Sequence, residues 1–248
     1  MKSNLVIEIV EPLLIVICMY FVFYFYDRCY KAIWPKSLIK WRLTAHLLLL
    51  LTAFILKICE NVLEGKSVSI DTGILVLIHR YVPSSFRWFF ETITFTGSAM
   101  FLFPFVSLIV IILTAKKYRF ESMLIATSTI SGVIVTYLIK MLVNRPRPAL
   151  WDTVWYWGSS FPSGHTLAVT AFSSSVLLSV MKISPDWQKP VLVITIAWIT
   201  LMAISRLVLG VHWPSDVLIS VLIGVFIPLV IGDLLKLFMI HFLKLVGD

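Results

Sequence analysis

Long apolar runs, each interrupted by a short polar segment, dominate the pattern of this chain. Seven runs approach the roughly 20 residues that a helix needs to cross a bilayer. They cover residues 6–26, 43–58, 99–115, 122–143, 166–181, 191–209 and 217–240. The shorter runs need about one more turn from their flanks to reach that length. The pattern therefore predicts an all-α, polytopic integral membrane protein, built as a bundle of seven spanning helices.

Two stretches in the first half depart from this regular pattern. Residues 6–26 carry two glutamates and a proline early in the run, and no small-residue cleavage site follows. We therefore expect a retained membrane anchor there rather than a removed signal peptide. Residues 66–96 mix apolar residues with polar ones such as Arg80 and Arg87. That mixture is typical of a segment at the membrane surface rather than across it.

Composition supports a membrane protein and excludes other classes. The chain is 59% hydrophobic with a mean hydropathy of +0.95, whereas soluble domains are about 45–50% apolar. No linker-like tract interrupts residues 1–248, so we expect a single domain, with 1–42 as a possible additional N-terminal helix and loop. The three cysteines, Cys18, Cys29 and Cys59, are too scattered for a disulfide framework or a metal cluster.

The net charge of +8 is better explained by helix orientation than by a nucleic-acid partner. Outside the polar motifs described below, twelve cations fall on one side of the predicted membrane and five on the other. The first set is Arg28, Lys31, Lys36, Lys40, Arg42, Lys116, Lys117, Arg119, Lys182, Lys189, Lys236 and Lys244, and the second is Lys2, Lys57, Lys66, Arg80 and Arg87. Because the side richer in lysine and arginine is usually cytoplasmic, the twelve-cation side is expected to face the cytoplasm.

The first polar motif lies at the end of the fourth apolar run. Lys140 is near the helix end, and Pro146 and Pro148 prevent the helix from continuing regularly, so Arg147 falls on an extended turn. An ammonium and a guanidinium fork together suit the oxygens of a phosphate. The alternative is that these cations snorkel at the membrane edge. Arg145 fits that alternative better, because it is one position out of the pattern that Lys140 and Arg147 form.

The second polar motif, residues 162–165, comes just before the fifth run. Ser163 is a plausible helix cap, and Gly164 lets the backbone approach a ligand closely. A helix N-terminus offers free N–H groups to an anion, with His165 beside it as a proton donor. The alternative is an ordinary helix start that happens to carry a histidine.

The third polar motif connects the last two runs. Arg206 ends one run, while His212 and Asp216 bracket the start of the next. Pro214 suits a first helical turn, which would let Asp216 reach back to His212. A carboxylate that holds one ring N–H leaves the other nitrogen free as a nucleophile. A structural ion pair is the alternative, although charged groups at membranes usually mark function.

The predicted topology brings these three motifs to one side. The fourth run ends on the outer side near Lys140, and the chain stays outside until the fifth run starts inward at His165. The sixth run returns outward with Arg206, and His212 follows at the turn. The motifs are therefore expected to converge on the outer face. Between the first two motifs, the aromatic residues of 151–157 predict an interfacial belt or, alternatively, a wall for a lipid tail.

Complete and in order, the three motifs resemble the signature motifs of the type 2 phosphatidic acid phosphatase superfamily. They read Lys-x6-Arg-Pro from Lys140, Pro-Ser-Gly-His from Pro162 and Ser-Arg-x5-His-x3-Asp from Ser205. The resemblance covers roughly the last half of the chain. It implies a bundle with a six-helix core, so the seven predicted helices leave 6–26 as an additional helix or as a surface segment.

The resemblance also implies a phosphatase that uses no metal and no cofactor. By this likeness, His212 is the nucleophile that forms a phosphohistidine, Asp216 orients it, and His165 protonates the leaving oxygen. The residues that would hold the phosphoryl oxygens are Lys140, Arg147, Ser163, Gly164 and Arg206. Phosphoryl transfer mainly requires positioning and charge stabilisation, which such cations can supply.

We therefore expect an enzyme that hydrolyses lipid phosphates or diphosphates at the outer face of a cytoplasmic membrane. Bacterial members of that family act on undecaprenyl diphosphate, phosphatidylglycerophosphate, phosphatidic acid or lipid A phosphates, and the sequence does not select among them. The expected partners are the lipid substrate and the bilayer, with no nucleic acid; the oligomeric state stays open. Two alternatives stay open as well: a lipid phosphotransferase with the same intermediate, and a non-catalytic lipid-binding or transport protein.

Overall fold

The structure is a computed structural model that describes residues 39–151 and 158–246. Helices α1 to α8 of this described part cover Ile39–Leu63, Val68–Tyr81, Arg87–Phe95, Ala99–Ala115, Arg119–Val143, Gly164–Ile183, Gln188–Val208 and Pro214–Val246. Short 3₁₀ turns at Ser84–Phe86 and Pro185–Trp187 precede α3 and α7. The predicted all-α fold is confirmed for the described residues.

The described chain falls into two compact units. The first ends at Glu64 and contains α1, and the second begins at Gly65 and contains α2 to α8. Within α1, residues His46–Leu63 are long and apolar enough to cross a membrane. The predicted helix at 6–26 lies outside the described residues.

The described residues contain five helices that could each span a membrane, or six if one bent pair counts as a single span. The five match the predicted runs in α1, α5, α6, α7 and α8. The run at 99–115 forms α4, which has 17 residues and reaches spanning length only together with Ser84–Phe95, from which it bends by 43°. Part of the segment that was predicted to be interfacial therefore contributes to a possible broken span, while α2 takes up the rest.

Local sequence sets the helix ends that matter for the motifs. Helix α5 ends at Val143, its C-cap residue Asn144 adopts a left-handed conformation with φ of 42°, and the proline-rich turn follows at once. Asparagine tolerates that conformation better than most residues. Helix α6 begins at Gly164, and α8 begins at Pro214, where a missing N–H costs no helical hydrogen bond.

Helix α6 is the centre of the second unit, because it packs against α5, α7 and α8. Its buried residues include Leu167, Val169 and Ala171. Small residues allow the neighbouring helices to approach closely, as is usual where no water drives helix association in a bilayer. A Cβ atom added at Gly224 of α8 would lie 2.5 Å from the Cβ of Thr170. This tight packing holds the N-terminus of α6 beside the ends of α5, α7 and α8.

Candidate active site

The three polar motifs meet where α5 and α7 end and where α6 and α8 begin. The side chain of Lys140 donates to the carbonyl oxygen of Ser159, just before the second motif. Nη1 of Arg147 donates to the carbonyl oxygen of Val211 at 2.8 Å, which joins the first motif to the third. The backbone N–H of Ser163 donates to the carbonyl oxygen of Asp216 at 3.3 Å. One end of the bundle therefore gathers all three segments.

The His212 ring is buried, and its two nitrogens have different surroundings. Nδ1 lies 2.7 Å from the carbonyl oxygen of Ser160 and 3.6 Å from Oδ2 of Asp216. Because a carbonyl oxygen only accepts, Nδ1 is the protonated nitrogen and Nε2 of the neutral ring carries the lone pair. Nε2 lies 3.5 Å from Nη1 of Arg147. The nearest acceptor for Nδ1 is thus a backbone carbonyl, with the predicted carboxylate of Asp216 behind it.

The electrostatic surroundings keep His212 neutral. Burial lowers the pKa of His212 from its ordinary value of 6.5 to about 4. The carboxylate of Asp216 raises the pKa, but the nearby guanidinium groups of Arg206 and Arg147 act with burial to lower it. A neutral imidazole with an unprotonated Nε2 is the form that a nucleophile requires.

Asp216 is fully buried, and both of its oxygens accept hydrogen bonds. Oδ2 accepts from the backbone N–H of Trp213 at 2.9 Å, and this is the oxygen nearer to His212. Oδ1 accepts from Nη1 of Arg145 at 2.5 Å. The carboxylate is therefore held from both sides at the first turn of α8.

Arg145 was expected to snorkel at the membrane edge, and the structure places it elsewhere. The side chain is buried and forms ion pairs with Asp71 at 2.7 Å and with Asp216 at 2.5 Å. Its guanidinium also lies over the ring of Trp213, at 5.5 Å from the centroid. The expectation was wrong because the carboxylate of Asp71 comes from α2, 74 residues earlier, and no local pattern connects the two positions.

The predicted phosphate-binding cations lie around the histidines. Arg206 is among the largest fully buried side chains, and its Nη1 donates to Oγ1 of Thr94 at 3.2 Å. The positive charges of Arg206, Arg147 and Lys140 lie near His165. Thr94, from α3, was missed by the sequence analysis, since a lone threonine in a mixed segment carries no signal.

The second motif supplies the start of α6, with one difference from expectation. Ser163 occupies the N-cap position, but its hydroxyl hydrogen-bonds to Oγ1 of Thr166 at 3.0 Å instead of capping a backbone N–H. A Cβ atom added at Gly164 would lie 3.2 Å from Cγ2 of Thr136. The glycine therefore allows α5 and α6 to approach closely at the level of the site.

An apolar cavity of about 550 Å³ leads from His165 along the bundle between α4, α5 and the start of α6. Most of the lining is aliphatic or aromatic, and Thr136, Gly164 and His165 line the end near the motifs. The other lining residues are Gly97, Ala99, Leu102, Phe103, Val106, Ser107, Val110, Ala126, Thr129, Ile130, Val133, Ile134 and Ala168. At 1.5 Å per helical residue, Ala126 and Thr136 are about 15 Å apart along α5. We call this cavity the α4–α5 groove.

The remaining sequence expectations concern the segment after the first motif and metal binding. Trp151 stacks on His79 of α2, with ring centroids 4.1 Å apart and an interplanar angle of 15°. The other aromatic residues of this segment, at 155–157, lie outside the described residues. Within residues 39–151 and 158–246, no group of three or more histidine, cysteine, aspartate or glutamate residues could hold a metal ion.

Comparison with known proteins finds a family whose model matches part of this chain. Residues 121–235 match the model of the PAP2 superfamily. Phosphatidylglycerophosphatase B of Escherichia coli K12 is 38% identical over 67 residues, which are 27% of this chain and 25% of that protein. Undecaprenyl-diphosphatase BcrC of Bacillus subtilis is 32% identical over 117 residues, 44% of this chain and 56% of that protein. The chain thus spans between a quarter and about half the length of these two relatives.

The fold is also that of a solved membrane phosphatase. The crystal structure of the transmembrane PAP2 type phosphatidylglycerolphosphate phosphatase from Bacillus subtilis superposes with a TM-score of 0.69 and 23% identity. The match covers 78% of this chain and 96% of that structure. At this level of identity the similarity establishes the helical architecture.

Proposed function

We propose that this chain is a member of the PAP2 superfamily and that it hydrolyses phosphate or diphosphate esters of membrane lipids through a phosphohistidine intermediate. The observation that carries the proposal is the α4–α5 groove, an apolar channel whose lining includes His165 of the second motif. A lipid phosphate has the same division into a long apolar part and a charged head. A soluble phosphate ester would leave the groove unused.

The chemistry follows from the neutral His212 and the cations around it. Nε2 attacks the phosphorus of the substrate, a P–N bond forms, and the bond between phosphorus and the lipid oxygen breaks. His165 gives a proton to that oxygen, so the lipid leaves as an alcohol or a monophosphate. His165 then takes a proton from water, which attacks the phosphohistidine, and phosphate leaves with His212 restored.

The cations and Asp216 stabilise the charges that this sequence of steps creates. Lys140, Arg147 and Arg206 balance the negative phosphoryl oxygens, a task that metal ions perform in many other phosphoryl-transfer enzymes. The start of α6, at Ser163 and Gly164, adds backbone N–H groups and the positive end of a helix dipole. Asp216 stabilises the positive charge that His212 acquires when Nε2 bonds to phosphorus.

Names of relatives support a lipid substrate class. Both phosphatidylglycerophosphatase B and undecaprenyl-diphosphatase are named for lipids that carry phosphate groups. We place the enzyme in the cytoplasmic membrane with the site on the outer face, since the cation-rich loops lie at the other ends of the helices. A lipid acceptor in place of water would make the same intermediate serve a phosphotransferase.

The test is a substrate panel with purified protein in mixed micelles. Released phosphate is measured for phosphatidylglycerophosphate, undecaprenyl diphosphate, phosphatidic acid and glycerol phosphate. We expect kcat/KM for at least one long-chain lipid to exceed that for glycerol phosphate by about 100-fold or more, because tail contacts position the head. Equal values would contradict the lipid assignment, and no release of phosphate from any lipid would contradict the proposed hydrolysis and leave the phosphotransferase and the binding protein as alternatives.

Two variants connect that activity to the site and to the groove. His212→Ala should lower kcat by about 10⁴-fold or more, as loss of a nucleophile typically does.

Ala126→Phe should fill the far part of the α4–α5 groove and selectively lower kcat/KM for long-chain substrates. Ala115→Phe, at an exposed position outside the groove, is the matched control and should leave the chain-length preference unchanged. Equal effects of the two phenylalanine variants would exclude the groove as the tail site.

A further inference from the structure

Asp71 makes an unusual set of contacts for a residue so far from the polar motifs in sequence. It lies in the first turn of α2, and only 2% of its surface is exposed. Oδ1 accepts from the backbone N–H of Ser215 at 2.9 Å. Oδ2 accepts from the hydroxyl of Ser215 at 2.6 Å and from Nη2 of Arg145 at 2.7 Å. Asp71 is therefore hydrogen-bonded to Ser215, which precedes Asp216 in the sequence, and to Arg145, which forms an ion pair with Asp216.

Arg145 divides its guanidinium between two carboxylates. Nη2 faces Asp71 and also donates to the hydroxyl of Ser67 at 3.1 Å. Nη1 donates to Oδ1 of Asp216 at 2.5 Å and to the hydroxyl of Ser215 at 2.7 Å. A planar guanidinium has donors in fixed directions, so anchoring one nitrogen fixes the direction of the other. Lysine could not hold both carboxylates in this way.

The contact with Arg145 gives the two oxygens of Asp216 different partners. Arg145 occupies Oδ1, which leaves Oδ2 for the backbone N–H of Trp213 and for the side facing His212. Without the arginine, a buried Oδ1 would have to find another donor, and rotation of the carboxylate would move Oδ2 away from the imidazole. Arg145 itself is buried, so it needs the charge of Asp71 to remain in this place.

We propose that Asp71 and Arg145 are positioning residues of the reaction, in which Asp71 holds Arg145 and Arg145 directs the carboxylate of Asp216 toward His212. The proposal rests on the proposed hydrolysis, because the two residues act on catalysis through Asp216. Neither one contacts the phosphoryl group in this scheme. Their removal should therefore lower kcat and leave KM nearly unchanged.

The simpler explanation is that the ion pairs only attach α2 to the start of α8. A purely structural attachment would lower thermal stability and the yield of folded protein, but activity per folded molecule would stay the same. The effect of removing such an attachment would also add independently to the effect of any change at Asp216. A positioning role predicts lower activity per folded molecule. It also predicts effects that do not add to those of a change at Asp216, because the role operates through that carboxylate.

The experiment measures kcat and KM for the best lipid substrate, per folded molecule, in four proteins: wild type, Asp71→Asn, Asp216→Asn and the double variant. Asp71→Asn should lower kcat about 10- to 100-fold in the wild-type background, as loss of a supporting partner often does. The same change should cost less than about threefold when Asp216→Asn is already present. Asp186→Asn, at an exposed site, is the matched control and should behave as wild type.

Arg145→Lys provides a second variant if Asp71→Asn does not fold. It keeps the positive charge but cannot bridge two carboxylates, so kcat should again fall about tenfold or more with KM within about threefold of wild type. Arg119→Lys, which is exposed, is its control. Unchanged kcat in either folded variant, or equal losses in both Asp216 backgrounds, would overturn the positioning role alone. An inactive wild type would overturn the proposed hydrolysis and, with it, any role that depends on it.

Discussion

At the scale of single residues, the site depends on charges that are buried and matched. His212 stays neutral because burial disfavours its charged form, even with a carboxylate close by. Asp216 stays in place because both of its oxygens accept hydrogen bonds. Sequence motifs predicted these two residues and their partnership, because a spacing of four places both at one helix start. They could not predict the carbonyl of Ser160, since backbone acceptors leave no signature in sequence.

The lowered pKa of His212 predicts a particular dependence of stability on pH. The pKa is about 4 in the folded protein, against an ordinary value of 6.5. Between these values the unfolded chain binds a proton that the folded protein does not, so this contribution to stability is complete above pH 6.5 and is lost as the pH falls toward 4. Thermal unfolding in detergent should show a smaller fall in Tm from pH 7 to pH 5 for His212→Gln than for wild type.

The control for this measurement is His79→Gln, which alters an exposed histidine outside the proposed chemistry. That variant should keep the full wild-type fall in Tm over the same range. If His212→Gln loses as much Tm as wild type between pH 7 and pH 5, then His212 does not carry the titration that its burial implies.

At the scale of helices, the runs of apolar residues predicted most of the elements. Five of the spanning helices coincide with those runs, and prolines and glycines mark their ends at the motifs. The segment at 66–96 was harder to interpret, because its residues that contact the motifs are isolated polar positions in short helices. Asp71 contacts Ser215 of α8 and Arg145 in the turn after α5, and Thr94 contacts Ser205 and Arg206 of α7. Only the packed bundle brings these partners near.

Packing between α6 and α8 predicts a strong effect of one methyl group. A Cβ atom at Gly224 would lie 2.5 Å from the Cβ of Thr170 and 3.1 Å from the backbone nitrogen of Ala171, and neither atom can easily move. Gly224→Ala should therefore destabilise the bundle by about 1–3 kcal/mol. The effect should be visible as a lower Tm in detergent and as reduced activity, since α8 carries Asp216.

Gly73→Ala is the matched control for this change. No atom lies within 4 Å of an added Cβ at Gly73, so the alanine should be neutral or stabilise slightly, by about 0.4–1 kcal/mol. A Gly224→Ala protein with wild-type Tm and activity would show that the two helices adjust without cost, contrary to the tight packing described here.

At the scale of the whole molecule, the proposed orientation in the membrane rests on where the cations lie. Lys116 and Lys117 occupy the turn between α4 and α5, and Arg119 is the first residue of α5, at the end of α5 opposite to the polar motifs. Lysine- and arginine-rich loops usually stay in the cytoplasm. This inference needs only loop composition and an even alternation of spanning helices, so it can be made from the sequence, and it stays a prediction.

Cysteine labelling in intact cells tests the orientation. In a background without Cys18, Cys29 and Cys59, a cysteine introduced by Ala149→Cys should react with an impermeant thiol reagent. One introduced by Lys116→Cys should react only after the membrane is breached. Both positions are exposed in the structure, so access depends on the side of the membrane. The reverse pattern would place the proposed chemistry on the cytoplasmic side.

The contacts of Asp71 and Thr94 also limit how far this site can be treated as a transferable module. The segment that matches the family model begins at residue 121, yet Arg145 and Arg206 within it are each bonded to a residue before that boundary. A chimera that moved residues 121–235 into a relative would carry two buried guanidinium groups into a new host. It should function only where the host offers a carboxylate and a hydroxyl at the corresponding places, so these two positions are the ones to match first when segments are exchanged.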